Sequence, residues 1–539
     1  MDAPVISGGP ALYPGRNRGT APQPGNRGPG FGGGYPHPLR LRLRRTDCPG
    51  ASPGGVAVTI PIFPLLERLQ ALLEKSRAEA YYVGGCVRDL LLGRPLHDLD
   101  LVVAGDSLAL ARAAARALQG AFVLLDEENG IARVVLRGAE GSPESTVDFA
   151  RMRGNLAGDL AQRDLTINAM AMAPDDFRRY ALGEVEQAAV IDPWGGQRDL
   201  RSGLLRALSL QVLYDDPLRT MRVVRLAGEL DFQIEPQTAD WVREVAGRLP
   251  LVSWERIRDE LFRLLACPHA APYLPLLDSL SLLPQVLPEV AGQKGQLEPA
   301  WERVCALEWL AASLESRPSP LRAAPLWKPR ALHRHPEMLF TSPYAPQLRR
   351  YLGERLSGER SRLSLLKLAA LLDRGQDADE GKKARQAGRR LRLSARETLA
   401  LEAAVSLLNH PLLAAGEPSP REVYRFYRDG GDIATGTLLL ALARELAHPD
   451  FRPARWEQAV RRVQDILTLR FERAAEVIEP PRLLDGDELM AALGLSPGPQ
   501  VGTLLEGIRE AQAAGEVHTR EEALDWARKT LESCPEPAP

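Results

Sequence analysis

A run of residues from position 81 to 103, YYVGGCVRDLLLGRPLHDLDLVV, combines glycines, an arginine and two carboxylates at spacings that suit phosphate chemistry. Gly84 and Gly85 lack side chains, so backbone N–H groups in that turn can approach a phosphate closely, and Arg88 lies one helical turn further on. Asp98 and Asp100 occupy alternate positions of a predicted strand, so both point to one face, about 7 Å apart along the chain. The pattern predicts a site where a triphosphate and divalent cations meet.

Two carboxylates beside a phosphate-binding turn suit a pair of Mg²⁺ ions. Such ions, about 4 Å apart, activate an attacking hydroxyl and stabilise a leaving oxygen. A D-x-D pair alone is more often a turn or a solvated strand end, so the inference depends on the whole run. Asp148, in the later run STVDFA, is either a third catalytic carboxylate or an aspartate at a strand edge. Asp89 either orients Arg88 or caps the helix locally, and His97 is expected to be a loop residue.

The elements that position these residues follow from periodicity. The runs before residue 150 predict strands over 80–85, 99–103, 122–125, 131–136 and 145–150, and a helix over 107–118. Beyond about residue 200 the strand patterns nearly vanish, and apolar residues recur at helical spacing. Pro- and Arg-rich residues near 317–336 and charged residues at 374–390 predict loops. The chain therefore predicts an α/β head followed by a long all-helical remainder.

The composition is that of an ordinary globular chain. Its 539 residues, 45% apolar and 26% charged, allow large cores. The net charge of −2 argues mildly against a nucleic-acid binder, although binding depends on local patches. The absence of any C-x-x-C pair favours reduced cytosolic thiols at Cys48, Cys86, Cys267, Cys305 and Cys534. Without a membrane-length apolar run or a signal pattern, a soluble cytoplasmic protein is expected.

The run G-G-x-V-R-D-x-L-L-G-x-x-x-x-D-x-D resembles the signature of the class II tRNA nucleotidyltransferase and bacterial poly(A) polymerase family, within the polymerase-beta-like superfamily. Four further segments that resemble family motifs follow in order: QRDLTINAMAM (162–172), DPWGGQRDL (192–200), DDPLRTMRVVRLAGEL (215–230) and SWERIRDEL (253–261). Gln162 replaces a family arginine, which leaves open how much of the ribose site is retained. Asp215 replaces a glutamate and keeps the carboxylate, so little change is expected there.

The resemblance implies a polymerase-beta-like α/β nucleotidyltransferase head with a mixed sheet, followed by an elongated all-α neck, body and tail. It implies that Asp98 and Asp100 hold Mg²⁺ and that the substrates are tRNA, CTP and ATP, with no membrane or protein partner. The residues implied to bind the nucleotide are Gly84, Gly85 and Arg88 for the triphosphate, Arg163 and Asp164 for the ribose, Asp216 and Arg219 for the base, and also Asn168, Arg222 and Arg225.

The base-reading role of Asp216 and Arg219 also has its own physical argument. The two residues are three apart on a predicted helix and so share a face. A carboxylate only accepts hydrogen bonds and a guanidinium only donates them. Cytosine and adenine both present an amino donor beside a ring-nitrogen acceptor, whereas uracil and guanine present the opposite order. One Asp–Arg pair can therefore accept C and A and reject U and G. The alternative is an intrahelical ion pair.

Composition and the motifs together predict the domain limits. Residues 1–58, rich in Gly, Pro and Arg, are predicted to be a disordered tail. The resemblance implies a catalytic head at 59–185 and a base-recognising helical neck at 186–275. It also implies a helical RNA-binding body at 276–475 and a helical tail at 476–539 that contacts tRNA, with helix packing alone as the alternative for the tail.

The body contains a segment, LSLLKLAALLDRGQ (363–376), that resembles the L-A-A-L-L-H-D-I-G-K segment of HD phosphohydrolases. The histidine is missing and Asp373 stands without it, although an HD metal site needs both. The region is therefore predicted to be a degenerate HD-like scaffold without phosphohydrolase activity. Clustered basic residues are candidates for phosphate contacts: Lys328, Arg330, Arg334, Arg349, Arg350, Arg355, Arg360 and Arg362, and Lys382, Lys383, Arg385, Arg389, Arg390 and Arg392.

These patterns predict an Mg²⁺-dependent enzyme that adds C and A to tRNA 3′ ends. A CC-adding or A-adding partner enzyme and a poly(A) polymerase share the same motifs and stay open as alternatives. An alternative from another class is a non-catalytic RNA-binding protein on the same scaffold.

Overall fold

The computed structural model describes residues 62–96, 98–136, 145–290, 297–315, 328–335, 338, 340–358, 360–375, 379–413 and 416–533. All of them belong to one compact unit. The predicted tail at 1–58, His97, Cys48, Cys534 and most of the predicted loop near 317–336 lie outside the described residues.

The head is built on a mixed six-stranded sheet with the order β3-β4-β5-β2-β1-β6. Strands β2 and β5 are parallel, and the other neighbours are antiparallel. The strands are β1 (Ala80–Val83), β2 (Asp98–Val103), β3 (Ala121–Asp126), β4 (Ile131–Leu136), β5 (Ser145–Arg151) and β6 (Ala171–Met172). The helices of the head are α1 (Ile62–Ser76), α2 (Gly85–Leu91), α3 (Ser107–Leu118), α4 (Leu156–Ala161) and α5 (Pro174–Ala181). The predicted strands and the helix over 107–118 are confirmed.

The sheet has one packed face and one face that carries polar residues. On β2 the side chains alternate, so Leu99, Leu101 and Val103 join the main core, which also includes α1 and α3. Val102 belongs to a smaller cluster with Val83 and others, on the same face as Asp98 and Asp100. We call this second face the polar face of the sheet. It places the two aspartates beside a small apolar patch rather than inside the main core.

The remainder is mostly helical, as predicted. The neck and body helices are α6 (Gly196–Ser202), α7 (Leu210–Asp215), α8 (Leu218–Leu230), α9 (Pro236–Val245), α10 (Trp254–Ala266), α11 (Leu274–Ser279), α12 (Leu283–Val286), α13 (Leu297–Ser313), α14 (Arg330–Arg334), α15 (Ala345–Gly353), α16 (Arg362–Leu372), α17 (Glu380–Arg390), α18 (Ala395–Ser406), α19 (Pro420–Gly430), α20 (Ala434–Leu446), α21 (Pro453–Glu472) and α22 (Ala474–Val477). Two short pairs of strands lie among them: β7 (Leu204–Leu205) with β8 (Gln233–Ile234), and β9 (Arg355–Ser357) with β10 (Arg360–Ser361).

The charged stretch at 374–390, predicted to be a loop, is mostly helical and corrects that prediction. Helix α17 covers Glu380–Arg390. Its buried positions include Gly381, Ala384, Ala387 and Gly388, which recur at helical spacing. Because these residues are so small, the apolar stripe was hidden among the charges, and the packing against α18 stabilises the helix.

The C-terminal helices α23 (Gly486–Leu493), α24 (Pro499–Ala513) and α25 (Arg520–Ser533) form their own hydrophobic cluster. Helix α23 begins with a capping box between Asp485 and Glu488 and ends at Gly494, whose positive φ of 66° closes the helix. Pro499 begins α24, where its missing N–H has no cost.

Candidate active site

The two aspartates of β2 lie at the centre of the site. Their side chains share the polar face, and Thr146 Oγ1 on β5 donates a 2.7 Å hydrogen bond to Asp98 Oδ1. Burial, and then the negative charge of Asp148, raise the pKa of Asp100 to about 6. A carboxylate that is costly to ionise alone gains much from a bound cation. The pair is therefore suited to hold divalent metal.

The glycine turn adjoins this pair. Gly84 has φ +75°, a conformation that side chains other than glycine rarely adopt. A Cβ built there would lie 2.8 Å from Arg163 Nη1 and 3.4 Å from Asp100 Oδ2. At Gly85, which begins α2, a Cβ would meet only Arg88, at 3.5 Å. Gly84 is thus the position where the backbone turn, Arg163 and the carboxylate of Asp100 lie close together.

Arg88 is buried, with 6% of its surface exposed. Its Nε and Nη2 donate to the two oxygens of Asp89 at 3.0 and 2.8 Å, and its Nη1 donates to Asn168 Oδ1 at 2.8 Å. Asp89 therefore orients Arg88, one of the two roles considered for it. In this arrangement Arg88 positions Asn168, and its direct contact with a triphosphate stays a prediction.

Asp164 connects the head to helix α8. Its Oδ1 accepts from Leu165 N at 2.8 Å and from Asn168 Nδ2 at 3.0 Å, and its Oδ2 accepts from Arg222 Nη1 at 3.0 Å. Burial alone would raise its pKa, but Arg222 and Asn168 outweigh burial and lower it. Asp164 is therefore ionised, and through Arg222 it links the predicted ribose site to helix α8.

Arg163, the other residue predicted at the ribose, is oriented by Asp159, whose Oδ2 lies 3.3 Å from Arg163 Nη2. Asp159 is buried and also accepts from Arg153 Nε at 3.1 Å. Gln162, the departure from the family pattern, is exposed at the end of α4.

The predicted base-reading pair differs from expectation in one respect. Asp216 does not lie on a helix, because α7 ends at Asp215 and α8 begins at Leu218. Pro217 disfavours helical geometry in the residue before it, and Asp216 is extended with φ −140° and ψ 94°. Asp216 Oδ1 instead accepts from Leu218 N at 3.3 Å.

The two side chains predicted to read the base, Asp216 and Arg219, are not hydrogen-bonded to each other. Asp216 Oδ2 accepts from Arg256 Nη2 at 2.8 Å, and Arg219 Nη1 donates to the carbonyl of Val212 at 3.0 Å. Burial lowers the pKa of Arg219, while the nearby charges of Asp164 and Asp216 raise it. The intrahelical ion pair considered as the alternative is therefore not the arrangement found, and the residues predicted for ribose and base lie in one electrostatic cluster.

Arg222 and Arg225, predicted to bind nucleotide, share a carboxylate that the sequence reasoning missed. Glu260 on α10 is buried and accepts from Arg222 Nε at 3.3 Å and from Arg225 Nε at 2.6 Å. Arg225 also pairs with Glu229. The signal was present, because Glu260 and Arg256 stand in SWERIRDEL, but the motif does not say which residues they contact.

Asp148 lies directly opposite Asp100 in the parallel register of β2 and β5. Both of its oxygens, however, accept 2.7 Å hydrogen bonds from Arg133 on β4. Among the described residues no group of three or more His, Cys, Asp and Glu side chains could hold a metal ion. Asp148 is thus engaged by Arg133, which is a second residue that the sequence reasoning missed.

Asp373 of the HD-like segment is buried at the end of α16. Arg444 Nε donates to its Oδ2 at 2.9 Å, and Arg303 Nε lies 3.3 Å from the same oxygen. Two guanidinium groups thus occupy the surroundings of this carboxylate. This arrangement supports the predicted scaffold role, because both arginines would repel a cation.

Several basic residues predicted to contact tRNA are held in internal ion pairs. Arg360 pairs with Glu397 at 2.7 Å, Arg390 pairs with Glu289, and Arg362 pairs with Glu354. Arg389 and Arg392 are exposed. Arg360, Arg362 and Arg390 therefore take part in ion pairs within the protein. Contact of any of these basic residues with tRNA stays a prediction.

The mixed sheet, with paired carboxylates beside a glycine turn, is the head of a nucleotidyltransferase. Residues 80–206 match the Poly A polymerase head domain, and residues 231–293 match the family described as probable RNA and SrmB-binding site of polymerase A. A CC-adding tRNA nucleotidyltransferase of Geobacter sulfurreducens is 35% identical over 480 residues, covering 88% of this chain and 97% of the relative. The chain belongs to the tRNA nucleotidyltransferase family.

Other relatives and structures agree. An A-adding tRNA nucleotidyltransferase of Deinococcus radiodurans is 35% identical over 480 residues, covering 85% of this chain and 96% of the relative. The CCA-adding enzyme of Bacillus stearothermophilus, solved with CTP, has the same fold, with a TM-score of 0.56, 24% identity, and coverage of 88% of this chain and 99% of that one. None of the helices in the described part of the chain is long and apolar enough to cross a membrane.

Proposed function

We propose that this protein adds nucleotides of the CCA sequence to the 3′ end of tRNA, using CTP or ATP without a nucleic-acid template. One observation carries the proposal: Asp98 and Asp100 share the polar face, with Gly84 and Arg163 against Asp100. This is the arrangement expected for attack of a hydroxyl on the α-phosphorus of a nucleoside triphosphate. The full-length relatives, named as tRNA nucleotidyltransferases, support tRNA as the acceptor.

The reaction joins the RNA 3′ oxygen to the α-phosphorus while the bond from that phosphorus to pyrophosphate breaks, and the hydroxyl proton passes to solvent. Asp98 and Asp100 would hold Mg²⁺, which supplies the positive charge that activates the hydroxyl and stabilises the leaving oxygen. The backbone at Gly84 lets the triphosphate approach, and Arg163 is fixed beside it by Asp159. The protein's own contribution is positioning and charge stabilisation.

Selection of C and A is assigned to Asp216 and Arg219. Asp216 keeps acceptor capacity because each oxygen takes one described bond, and Arg256 holds it in place. Arg219 uses Nη1 on the carbonyl of Val212, which orients the rest of the guanidinium. An acceptor and a donor fixed at different anchors can read the amino group and ring nitrogen that C and A share.

Relatives of this chain carry all three activities in their names. CC-adding and A-adding relatives match 88% and 85% of this chain, and a CCA-adding enzyme of Lactiplantibacillus plantarum matches 44%. We propose addition of both C and A, and a CC-adding or an A-adding enzyme is the alternative that the next experiment separates.

The test uses tRNA transcripts that end before, within and after CCA, each with single nucleotides and with pairs. Addition that stops after two C residues identifies a CC-adding enzyme, and addition of A only to a CC end identifies an A-adding enzyme. Three nucleotides on the truncated tRNA indicate the full activity. Long A tracts on unrelated RNA indicate a poly(A) polymerase and would overturn the tRNA proposal.

A second test separates catalysis from RNA binding. The Asp98→Ala/Asp100→Ala variant should bind tRNA as the unmodified protein does and add no nucleotide. Glu127→Ala, which removes an exposed carboxylate from the turn between β3 and β4, is the matched control and should keep full activity. Incorporation by the double variant would refute the assignment of the metal site. A lack of incorporation by the unmodified protein itself would favour a non-catalytic RNA-binding role.

A further inference from the structure

Arg133 occupies the same face of the sheet as the two metal-binding aspartates. In the strand register, Arg133 on β4 lies opposite Asp148 on β5, and Asp148 lies opposite Asp100 on β2. Directly opposed residues on neighbouring strands share a face. With strands about 4.8 Å apart, Arg133 begins about 10 Å from Asp100, within reach of a ligand bound beside it.

Asp148 fixes the orientation of the Arg133 guanidinium. Nε and Nη2 donate to the two carboxylate oxygens at 2.7 Å each, a planar two-point contact that holds the group in one direction. The third nitrogen, Nη1, donates no hydrogen bond to any residue that the structure describes. The side chain is 41% exposed. Arg133 is therefore a held cation with a spare donor group on the polar face.

The order of strands in the sheet indicates whether Nη1 of Arg133 faces the nucleotide or the RNA. The nucleotide elements, Gly84 and α2, are on the β1 side of the aspartates, while Arg133 is on the opposite side, beyond β5. In an in-line displacement the attacking hydroxyl and the leaving pyrophosphate lie on opposite sides of the α-phosphorus. The pyrophosphate is assigned to the β1 side, so the RNA 3′ end approaches from the side of β5 and β4.

We propose that Arg133 binds the 3′-terminal phosphodiester of the RNA acceptor, with Asp148 as its positioning residue. This inference rests on the proposed nucleotidyl transfer and assigns the acceptor side of the same site. It also gives Asp148 a role other than metal binding. Without Asp148, Arg133 would be free to turn toward Asp98 and Asp100, whose charges it already senses, and to compete with the cations there.

The experiment removes the two partners of the proposed contact separately and together. The acceptor is a tRNA ending in the proper nucleotide, prepared with either a normal or an uncharged methylphosphonate linkage at its last phosphodiester. Each acceptor is tested with the unmodified protein and with Arg133→Met, Arg133→Lys and Asp148→Asn. Arg151→Met, which removes an exposed arginine of β5 that does not contact Asp148, is the matched control.

We expect Arg133→Met to lower kcat/KM for the RNA about 10- to 100-fold, the range for loss of a charge-assisted hydrogen bond to phosphate. The KM for CTP or ATP should stay within about twofold. The methylphosphonate should slow the unmodified protein by a similar factor, yet slow Arg133→Met less than about threefold, because the contact is already lost. Arg133→Lys and Asp148→Asn should give intermediate losses, and Arg151→Met should behave as the unmodified protein.

Two results would overturn the proposal: equal sensitivity of Arg133→Met and the unmodified protein to the methylphosphonate, or a defect that appears in the KM for nucleotide. Equilibrium binding of the same RNAs gives a readout that needs no catalysis. If the unmodified protein adds no nucleotide, the transfer proposal fails. The binding cycle would then still show whether Arg133 and the terminal phosphate are coupled.

Discussion

Substitution of Gly84 by alanine tests whether activity depends on the close approach of the glycine turn to the carboxylates proposed to bind metal. The added methyl group meets two obstacles. The backbone has φ +75° and ψ −135°, a region that costs a residue with a Cβ about 1–3 kcal/mol. The Cβ would also lie 2.8 Å from Arg163 Nη1, which is closer than carbon and nitrogen atoms can approach without movement.

The size of the rate loss depends on which group moves to make room for the added methyl group. Arg163 Nη1 is the end of a flexible side chain, so the side chain should turn away and the head should stay folded. This movement breaks the 3.3 Å contact between Arg163 and Asp159. A displacement of about 1 Å in a positioning group can cost about 100-fold in rate. We therefore expect kcat/KM for the nucleotide to fall about 100-fold and the unfolding temperature to fall only by several degrees.

Gly85→Ala is the matched control for this substitution. Gly85 lies at the start of α2, and its Cβ would make an ordinary 3.5 Å contact with Arg88. Alanine is favoured over glycine in a helix by about 1 kcal/mol, so this variant should be as stable as the unmodified protein or more so. Its rate should exceed that of Gly84→Ala at least tenfold.

The assay is incorporation of labelled CTP or ATP into truncated tRNA, with tRNA binding and thermal unfolding measured on the same preparations. Equal rates for Gly84→Ala and Gly85→Ala would refute the reasoning, because it depends on the difference between the two positions. So would a Gly84→Ala variant whose loss of activity only follows a loss of folded protein.

Further predictions concern three carboxylates, those of Asp100, Glu260 and Asp373. Because the pKa of Asp100 is raised to about 6, a proton competes with cations for this carboxylate. The affinity for Mn²⁺ should therefore fall as the pH drops from 7 to 5, and an affinity that does not change with pH would contradict this. The same pKa shift makes the ionised carboxylate unfavourable in the folded protein, so Asp100→Asn should raise the unfolding temperature more at pH 8 than at pH 4. Glu260→Gln weakens the hydrogen bonds that hold Arg222 and Arg225. This variant should misincorporate UTP or GTP severalfold more often, and its free energy of unfolding should fall by about 1–3 kcal/mol. Unchanged nucleotide selectivity would show that Glu260 has only a structural role. Asp373→Asn leaves Arg303 and Arg444 without their negatively charged partner and should lower the free energy of unfolding by about 3 kcal/mol. Nucleotide addition should be retained. A metal-dependent phosphatase activity that this substitution abolishes would refute the scaffold role.

Features confined to a single element can be predicted from the sequence. The alternation of β2 places Asp98 and Asp100 on one face, and the apolar spacing over 107–118 predicts α3. The charged stretch at 374–390 lacks such a pattern, because alanine and glycine form its buried stripe and resemble the composition of a loop. Spacing alone puts Asp216 on the same helix as Arg219, whereas Pro217 separates α7 from α8 and leaves Asp216 between them.

The acidic pair, the glycine turn and the family resemblance follow from residue types that stand two, three or four positions apart in the chain. The contacts between distant segments, Arg133 with Asp148 and Glu260 with Arg222 and Arg225, are visible only once the chain is folded. The difference arises because side-chain direction within a strand or helix follows from local geometry with a fixed period. Pairing between elements depends on strand register and helix packing, which are set by the whole core.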